Sequence, residues 1–197
     1  MQVEHVGAAM LPRRQLLGLG VGAGVGVLVG ASPAAAADSR QPTEADVTLL
    51  AKAQQLELAM RAVYDDVIAD VPGWSDDEAA LMVALREAHE EFANALSATL
   101  GRSAPGTVDD RLVRRLRNGV GARPADALVG MWSLESAAVA THAAVLGNLE
   151  SSAAAELTVA IQLGEARHCT ALAHLAGITD TALLLVDDEA APIEVDG

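Results

Sequence analysis

A carboxylate and an imidazole lie three residues apart in an otherwise apolar, helix-like segment, residues 157–175. Glu165 and His168 fall on the same three- and four-residue spacing as its apolar residues, so both side chains are predicted on the buried face of one helix. A charge buried there costs free energy unless something compensates it. Helical bundles use Glu-x-x-His on inward faces to hold iron or manganese, and they draw the remaining ligands from neighbouring helices.

Three other predicted helices each carry one such polar group on the apolar face, near the helix midpoint. Groups at the midpoints of packed helices are expected at one height, so we predict a single transverse layer. Buried carboxylates without a cation would each cost on the order of several kcal/mol in desolvation. The pattern therefore predicts a site for iron or manganese, with the number of ions and any reaction left open. The predicted metal ligands are Glu57, His89, Glu135, Glu165 and His168.

Two further polar residues, Tyr64 and His142, share the helices of Glu57 and Glu135 but lie two turns further on, about 10 Å along the axis. At that distance we expect core residues or hydrogen-bond partners of the ligands rather than ligands. A plainer interpretation also exists for any one inward carboxylate. It would be a structural ion pair, made for instance with Arg61 or Arg86.

Four long helices are predicted to position these groups, from their capping residues and apolar periodicity. Thr43 caps the first, Ser75 begins a capping box for the second, and Pro124 opens the third. A serine caps the fourth, which ends at a glycine. Residues 101–123 form a long crossover that contains a short basic helix. The predicted bounds of the long helices are 43–70, 76–100, 124–150 and 151–177.

The composition agrees with an all-helical fold. Of 197 residues, 51% are hydrophobic and only 2% are aromatic, so the core must be built from Ala, Leu and Val. Long alanine- and leucine-rich tracts favour helix, whereas strands are enriched in aromatic and β-branched residues. The formal net charge of −14 disfavours nucleic acid and anionic lipid as partners. Cys169 is the only cysteine, so no intramolecular disulfide forms.

The first 37 residues have the pattern of an export signal. Arg13 and Arg14, followed by two leucines, resemble a twin-arginine signal, and the glycine-rich apolar run after them suits that pathway. The run is too short to span a bilayer comfortably, and cleavage after Ala37 fits an Ala-x-Ala site. We therefore expect a periplasmic, extracellular or cell-envelope protein without membrane contact after cleavage. The alternative is an N-terminal anchor that is never cut.

The first and third helices repeat one pattern. Residues 56–64 and 134–142 align without a gap and are identical at four positions. This predicts a bundle made of two duplicated helical hairpins, although alanine-rich helices can also match by chance. Extended to the second and fourth helices, the alignment pairs Glu57 with Glu135, Tyr64 with His142, His89 with Glu165, and Phe92 with His168.

The export signal, the helix lengths, the long crossover and the mid-helix ligands resemble the ferritin-like superfamily, in particular exported bacterial proteins with a ferritin-like domain. The resemblance covers roughly residues 43–177. It implies a four-helix bundle with Glu on the first and third helices and Glu-x-x-His on the second and fourth. The second helix departs from this pattern, because His89 stands in for the Glu and Phe92 cannot replace the His. The predicted domains are the signal, 1–37; the bundle, 38–178; and an acidic C-terminal tail, 179–197.

Two functions from different classes fit this sequence. The first is an exported metal-binding protein, either redox-active or metal-sequestering, whose partners are iron or manganese ions. The second is a metal-free helical module that binds a partner in the cell envelope, and Phe92 in a ligand position favours it. Cage-forming iron storage is a weaker third hypothesis. The sequence does not decide whether the protein forms a homo-oligomer. In the C-terminal tail, only the apolar run 182–186 is expected to fold back on the bundle, and the rest of the tail is expected to be disordered.

Overall fold

The computed structural model describes residues 41–184 and 186–195, and within these ranges the chain is helical and contains no strand. The predicted all-α fold class is confirmed. No helix in these ranges is long and apolar enough to cross a membrane. The expected export signal, residues 1–37, lies outside the described residues. The helices are α1, Glu44–Asp70; α2, Asp76–Leu100; a 3-10 turn, Gly101–Ser103; α3, Asp110–Arg117; α4, Pro124–Leu146; and α5, Ser152–Leu175.

The helices start where the capping residues predict, but α4 ends at Leu146 rather than at residue 150, and α5 ends at Leu175 rather than at residue 177. Thr43 and Asp46 form a capping box at the start of α1, in which each side chain accepts a hydrogen bond from the other residue's backbone N–H. Ser75 and Glu78 do the same for α2. Gly101 ends α2 with φ +56°, a backbone conformation that residues with a Cβ rarely adopt. These local signals explain why the sequence predicts the helix starts well.

The long helices pack as two hairpins, α1 with α2 and α4 with α5. The hairpins meet along two seams, where α2 faces α5 and α1 faces α4. The buried core between them is built from small and aliphatic side chains, as the composition predicts. Its buried residues include Leu50, Leu56, Met60, Met82, Leu96, Leu128, Met131, Ile161 and Leu172.

Asp46 joins the two hairpins at one end of the bundle. Its buried carboxylate accepts hydrogen bonds from the backbone N–H of Glu150, at 2.8 Å, and of Ser151, at 3.0 Å, in addition to that of Thr43. The loop between α4 and α5 is therefore fixed to the first turn of α1. Both the start of α1 and the end of α4 lie at this end of the bundle.

The connection between α2 and α4 contacts α1 at two places. Near its start, the Gly106 N–H donates to the buried Gln54 side chain at 3.3 Å, and Gln54 in turn donates to the Ala93 carbonyl. Near its end, Arg117 lies 4.0 Å from Asp70, the last residue of α1. Between these points α3 buries Leu112, Val113 and Leu116 in the core. The remaining arginines of α3, at 111, 114 and 115, are exposed, as the sequence predicts.

The C-terminal tail is not disordered as the sequence predicts, because residues 186–195 pack along α4. The Asp187 N–H donates to Ser136 at 3.1 Å, and the Ile193 N–H donates to Thr141 at 2.7 Å. Arg115 of α3 donates to the Glu194 carbonyl. The apolar tail side chains that pack against the core include Leu183, Leu184, Val186, Ile193 and Val195. The physical reason is that isolated apolar residues among the acidic ones find a groove, which a composition-based argument overlooks.

Candidate metal centre

Six buried side chains, drawn from all four long helices, come together inside the bundle. All are carboxylates or imidazoles, and five of the six are wholly inaccessible to solvent. All five predicted ligands belong to this set, and His142 is the addition. The six residues are Glu57 of α1, His89 of α2, Glu135 and His142 of α4, and Glu165 and His168 of α5.

Three of these side chains form what we name the His/Glu/His group: His89, Glu135 and His168. One ligand atom from each lies within 4.8 Å of the others. His89 Nε2 lies 3.0 Å from Glu135 Oε1, and His168 Nδ1 lies 3.3 Å from Glu135 Oε2. Glu135 is therefore the centre of the group, with one imidazole at each of its oxygens.

The other three side chains form the Glu/His/Glu group: Glu57, His142 and Glu165. Their ligand atoms also lie within 4.8 Å of one another. His142 Nε2 lies 2.7 Å from Glu57 Oε1 and 3.3 Å from Glu165 Oε1. Here an imidazole is the centre, and two carboxylates flank it.

His89 connects the two groups. While its Nε2 faces Glu135, its Nδ1 lies 2.7 Å from Glu57 Oε2. The six side chains are thus one continuous polar cluster enclosed by apolar core. Two adjacent groups of three ligand atoms are what a pair of metal ions held side by side requires.

His142 joins the predicted ligands from outside the predicted layer. It lies seven residues beyond Glu135, so the cluster extends about 10 Å along α4. Its Nε2 lies 2.7 Å from Glu57 Oε1, which agrees with the expected role as a hydrogen-bond partner of a predicted ligand. The sequence indicates that His142 lies near the ligands, because Glu135 and His142 share one helix face at seven-residue spacing and His142 aligns with Tyr64 in the first hairpin.

Tyr64 supports the first group from outside. Its buried hydroxyl donates to Glu135 Oε1 at 2.5 Å, and its ring stacks on His89 with 5.4 Å between ring centres. This agrees with the expected role as a hydrogen-bond partner of a ligand. The contact also mirrors one in the other half: Tyr64 of α1 reaches Glu135 of α4, and His142 of α4 reaches Glu57 of α1. Such reciprocal contacts between aligned positions support the duplicated-hairpin hypothesis.

Glu165 is the least satisfied member of the cluster. Neither of its buried oxygens accepts a hydrogen bond from any described residue. Burial raises its pKa, His142 opposes the rise, and the negative charge of Glu57 adds to it, so that the pKa of Glu165 is raised to about 8. A buried carboxylate whose one charged neighbour, His142, is shared with Glu57 is a group that a further cation would stabilise.

The other members of the cluster pair with one another. Although burial lowers the pKa of His142, the carboxylates of Glu165 and Glu57 outweigh it and raise that pKa to about 10. Burial also lowers the pKa of His89, but the Glu135 carboxylate raises it by more, so the pKa of His89 lies well above its ordinary value. Burial raises the pKa of Glu57, but hydrogen bonds from His142 and His89 hold it at about 2. Without metal, protons on two imidazoles therefore take the place of external cations.

Phe92 lies against the cluster but contributes no ligand atom. Its ring stacks on His168 with 5.9 Å between ring centres and an interplanar angle of 18°, and its edge meets His89 at 5.9 Å. The structure thus places Phe92 beside the ligands, where the alignment of the two hairpins puts it. The ferritin-like resemblance implies a ligating histidine at this position, and this chain has an apolar ring there.

Comparisons of the chain with protein-family models, with curated proteins and with solved structures find no match. The function of the protein is therefore inferred from the residues of the cluster and their geometry.

Proposed function

We propose that this protein binds two transition-metal ions inside a ferritin-like four-helix bundle. The observation that carries the proposal is the buried cluster of three carboxylates and three imidazoles, in which both oxygens of Glu165 lack a hydrogen bond. Hydrogen bonding compensates most buried carboxylates in proteins, whereas Glu165 has only a 3.3 Å ion pair with His142, which Glu57 shares at 2.7 Å. Cations held by the two groups would compensate all three carboxylates at once.

The donor atoms favour iron or manganese. The His/Glu/His group provides two imidazoles and one carboxylate, a set that suits non-haem Fe(II), and the Glu/His/Glu group is richer in oxygen, which suits manganese as well. Such ions supply one-electron redox chemistry to small molecules, or they are simply held in store. We propose metal ions as the partners of the cluster and leave the reaction undefined.

The ferritin-like arrangement is proposed on the path of the chain. The connection after α2 contacts Gln54 in the first half of α1, and it lies beside Asp70 at the other end of α1 before α4 begins. Such a connection spans much of the bundle and makes α4 parallel to α2. This is the long crossover that the ferritin-like resemblance implies.

Metal analysis of the purified protein tests the proposal. Wild-type protein prepared with iron and manganese available is expected to hold about two ions per chain, and the double variant Glu165→Ala/His168→Ala is expected to hold far less. The matched control is Glu156→Ala/His174→Ala, which removes an exposed glutamate and an exposed histidine from the same helix. Wild type holding no more metal than the Glu165→Ala/His168→Ala variant would refute metal binding.

One observation favours the alternative of a metal-free helical module. Glu57 pairs with both His89 and His142, and Glu135 pairs with His89, so much of the cluster is neutralised internally. Glu165 is the most weakly paired of the three carboxylates, since it lies 3.3 Å from His142 and its oxygens accept no hydrogen bond from any described residue. The same metal analysis decides between the two functions, because a structural cluster would hold no ion and its loss would change stability alone.

We also propose that the protein is exported as a folded domain through the twin-arginine pathway. The support is the sequence of residues 1–37, which lies outside the described part of the chain. Substituting Arg13→Lys together with Arg14→Lys is expected to retain the protein in the cytoplasm. A processed form that still appears outside the cytoplasm in equal amount would exclude this route.

A further inference from the structure

The two seams between the hairpins are two routes by which a species could reach the cluster. At the α1/α4 seam, tail residues 192–195 lie over a cavity of about 490 Å³. The cavity is lined by Ala53 and Thr141, which adjoin the Glu/His/Glu group, but by none of the six cluster residues. Glu57 and His142 have no exposed side-chain surface, so this cavity ends before it reaches the cluster.

The α2/α5 seam is different, because solvent touches the cluster there. The His168 side chain is 10% exposed, whereas those of the other five residues are 0% exposed. The half-buried ring of Phe92 lies over His168 at this point, and its edge also meets His89. Phe92 is thus the side chain between the His/Glu/His group and solvent on this side of the bundle.

Gly164 makes the position of the ring sterically possible. A Cβ atom at residue 164 would lie 2.5 Å from Phe92 Cζ, well inside van der Waals contact. The glycine lies directly before Glu165, within a helix where alanine would be the more stable residue. Because residue 164 has no side chain, the phenyl ring of Phe92 has room to lie in the seam.

We propose that Phe92 is the residue that determines which species reach the metal ions. The inference rests on the proposed metal-binding function. A phenyl ring offers no oxygen or nitrogen to replace the water ligands of a passing ion, so hydrated cations pass only when the ring turns aside. Anionic chelators, which are larger and charged, are excluded while the ring covers His168. Small uncharged molecules of the size of dioxygen are the class that the closed seam obstructs least.

The rate of Co(II) transfer tests this proposal, with Co(II) as a coloured probe ion. Stopped-flow absorbance measures the rate of Co(II) uptake by the metal-free full-length protein. EDTA is then added, and the change in absorbance measures the rate of Co(II) release. Phe92→Ala is expected to speed both steps at least tenfold while leaving the number of ions bound at equilibrium unchanged. Met82→Ala is the control, because Met82 is a fully buried residue of α2 that lies in the other core cluster, with Leu112 and Leu116 of α3.

Gly164→Ala is the second variant, and it keeps the phenyl ring. Its new Cβ should displace the ring from the seam, so faster uptake and release are expected again, even if Phe92→Ala fails to fold. Rates in both variants equal to those of wild type would overturn the role of Phe92. An equal acceleration in Met82→Ala would also overturn it, because it would indicate general loosening. If wild-type protein binds no Co(II) at equilibrium, the proposed metal site is wrong. This result differs from unchanged rates in the variants, which would refute only the role of Phe92.

Discussion

At the scale of single residues, two positions that align in the proposed duplication carry different side chains. Tyr64 and His142 each contact the glutamate of the opposite half. The Tyr64 hydroxyl donates to its carboxylate, whereas the His142 imidazole can also offer a nitrogen to a metal. Phe92 contributes no ligand atom, and with His142 the two groups contain six candidate ligands in two different donor sets.

Tyr64→Phe tests the positioning role. The change removes the hydroxyl that donates to the buried Glu135 carboxylate, and we expect the metal-free protein to lose about 1–3 kcal/mol of unfolding free energy. Metal affinity should fall about 10- to 100-fold, as is usual when a hydrogen bond to a ligand is lost. Urea unfolding and competition titration with a chromophoric chelator measure the two effects.

A second hydroxyl provides the control for this substitution. Thr158→Val removes a buried hydroxyl that donates to the Ala154 carbonyl within α5, away from the ligands. It should lower stability without changing metal affinity. If Tyr64→Phe also left the affinity unchanged, the Tyr64 hydroxyl would be a core contact and not a support for a ligand.

At the scale of helices, features that depend on interactions within a few residues could be predicted from the sequence, whereas features that depend on contacts between helices could not. Capping boxes and apolar periodicity act within a few residues, so the starts of α1, α2 and α4 and the inward faces could be predicted. The contact of His142 with Glu57 depends on how high α4 lies relative to α1, which no local pattern encodes. The same holds for Asp46, whose capping role is local but whose bonds to Glu150 and Ser151 are not.

Asp46→Asn tests the link between the hairpins. Burial raises the pKa of Asp46, but backbone hydrogen bonds from Glu150, Thr43 and Ser151 lower it overall from its ordinary value of 3.8. The ionised form therefore stabilises the fold above that value, and its contribution is lost as the pH falls through the folded-state pKa. At pH 7 the variant should lose about 1.5–3 kcal/mol, typical of hydrogen bonds to a charged group.

Unfolding free energies at pH 7 and at pH 3 check this expectation, because the difference between wild type and variant should narrow at the lower pH. Asp76→Asn serves as the comparison, since this exposed aspartate lies in the first turn of α2 and joins nothing across the bundle. A deficit of the same size at both pH values would mean that the charge of Asp46 does not strengthen its bonds.

At the scale of the whole molecule, the two seams between the hairpins are covered in different ways. A side chain of the bundle itself, Phe92, covers the α2/α5 seam, whereas a separate segment, residues 192–195, lies over the α1/α4 seam. The acidic composition of that segment predicted disorder. Composition fails here because Ile193 and Val195 alternate with polar residues, and two well-placed apolar side chains suffice to hold a short segment in a groove.

Ending the chain after Val186 tests whether the tail belongs to the fold. The truncation removes the packing of Ile193 and Val195, each half-buried and contributing about 1 kcal/mol, together with the bonds to Ser136 and Thr141. We expect a loss of about 2 kcal/mol, which lowers Tm by about 4–8 °C in a chain of this size. The metal content should stay the same, because no described tail residue contacts the cluster through a hydrogen bond or ion pair.

The full-length variant Ile193→Ser/Val195→Ser separates packing from chain length. If apolar contact holds the tail in the groove, this variant should reproduce most of the fall in Tm, since its backbone can still donate to Ser136 and Thr141 but gains little from closing the groove. Equal melting temperatures for wild type, the truncated chain and the double serine variant would show that the tail leaves the groove in solution. The sequence-based expectation of disorder would then be right, and the α1/α4 seam would be open to solvent as far as Ala53 and Thr141.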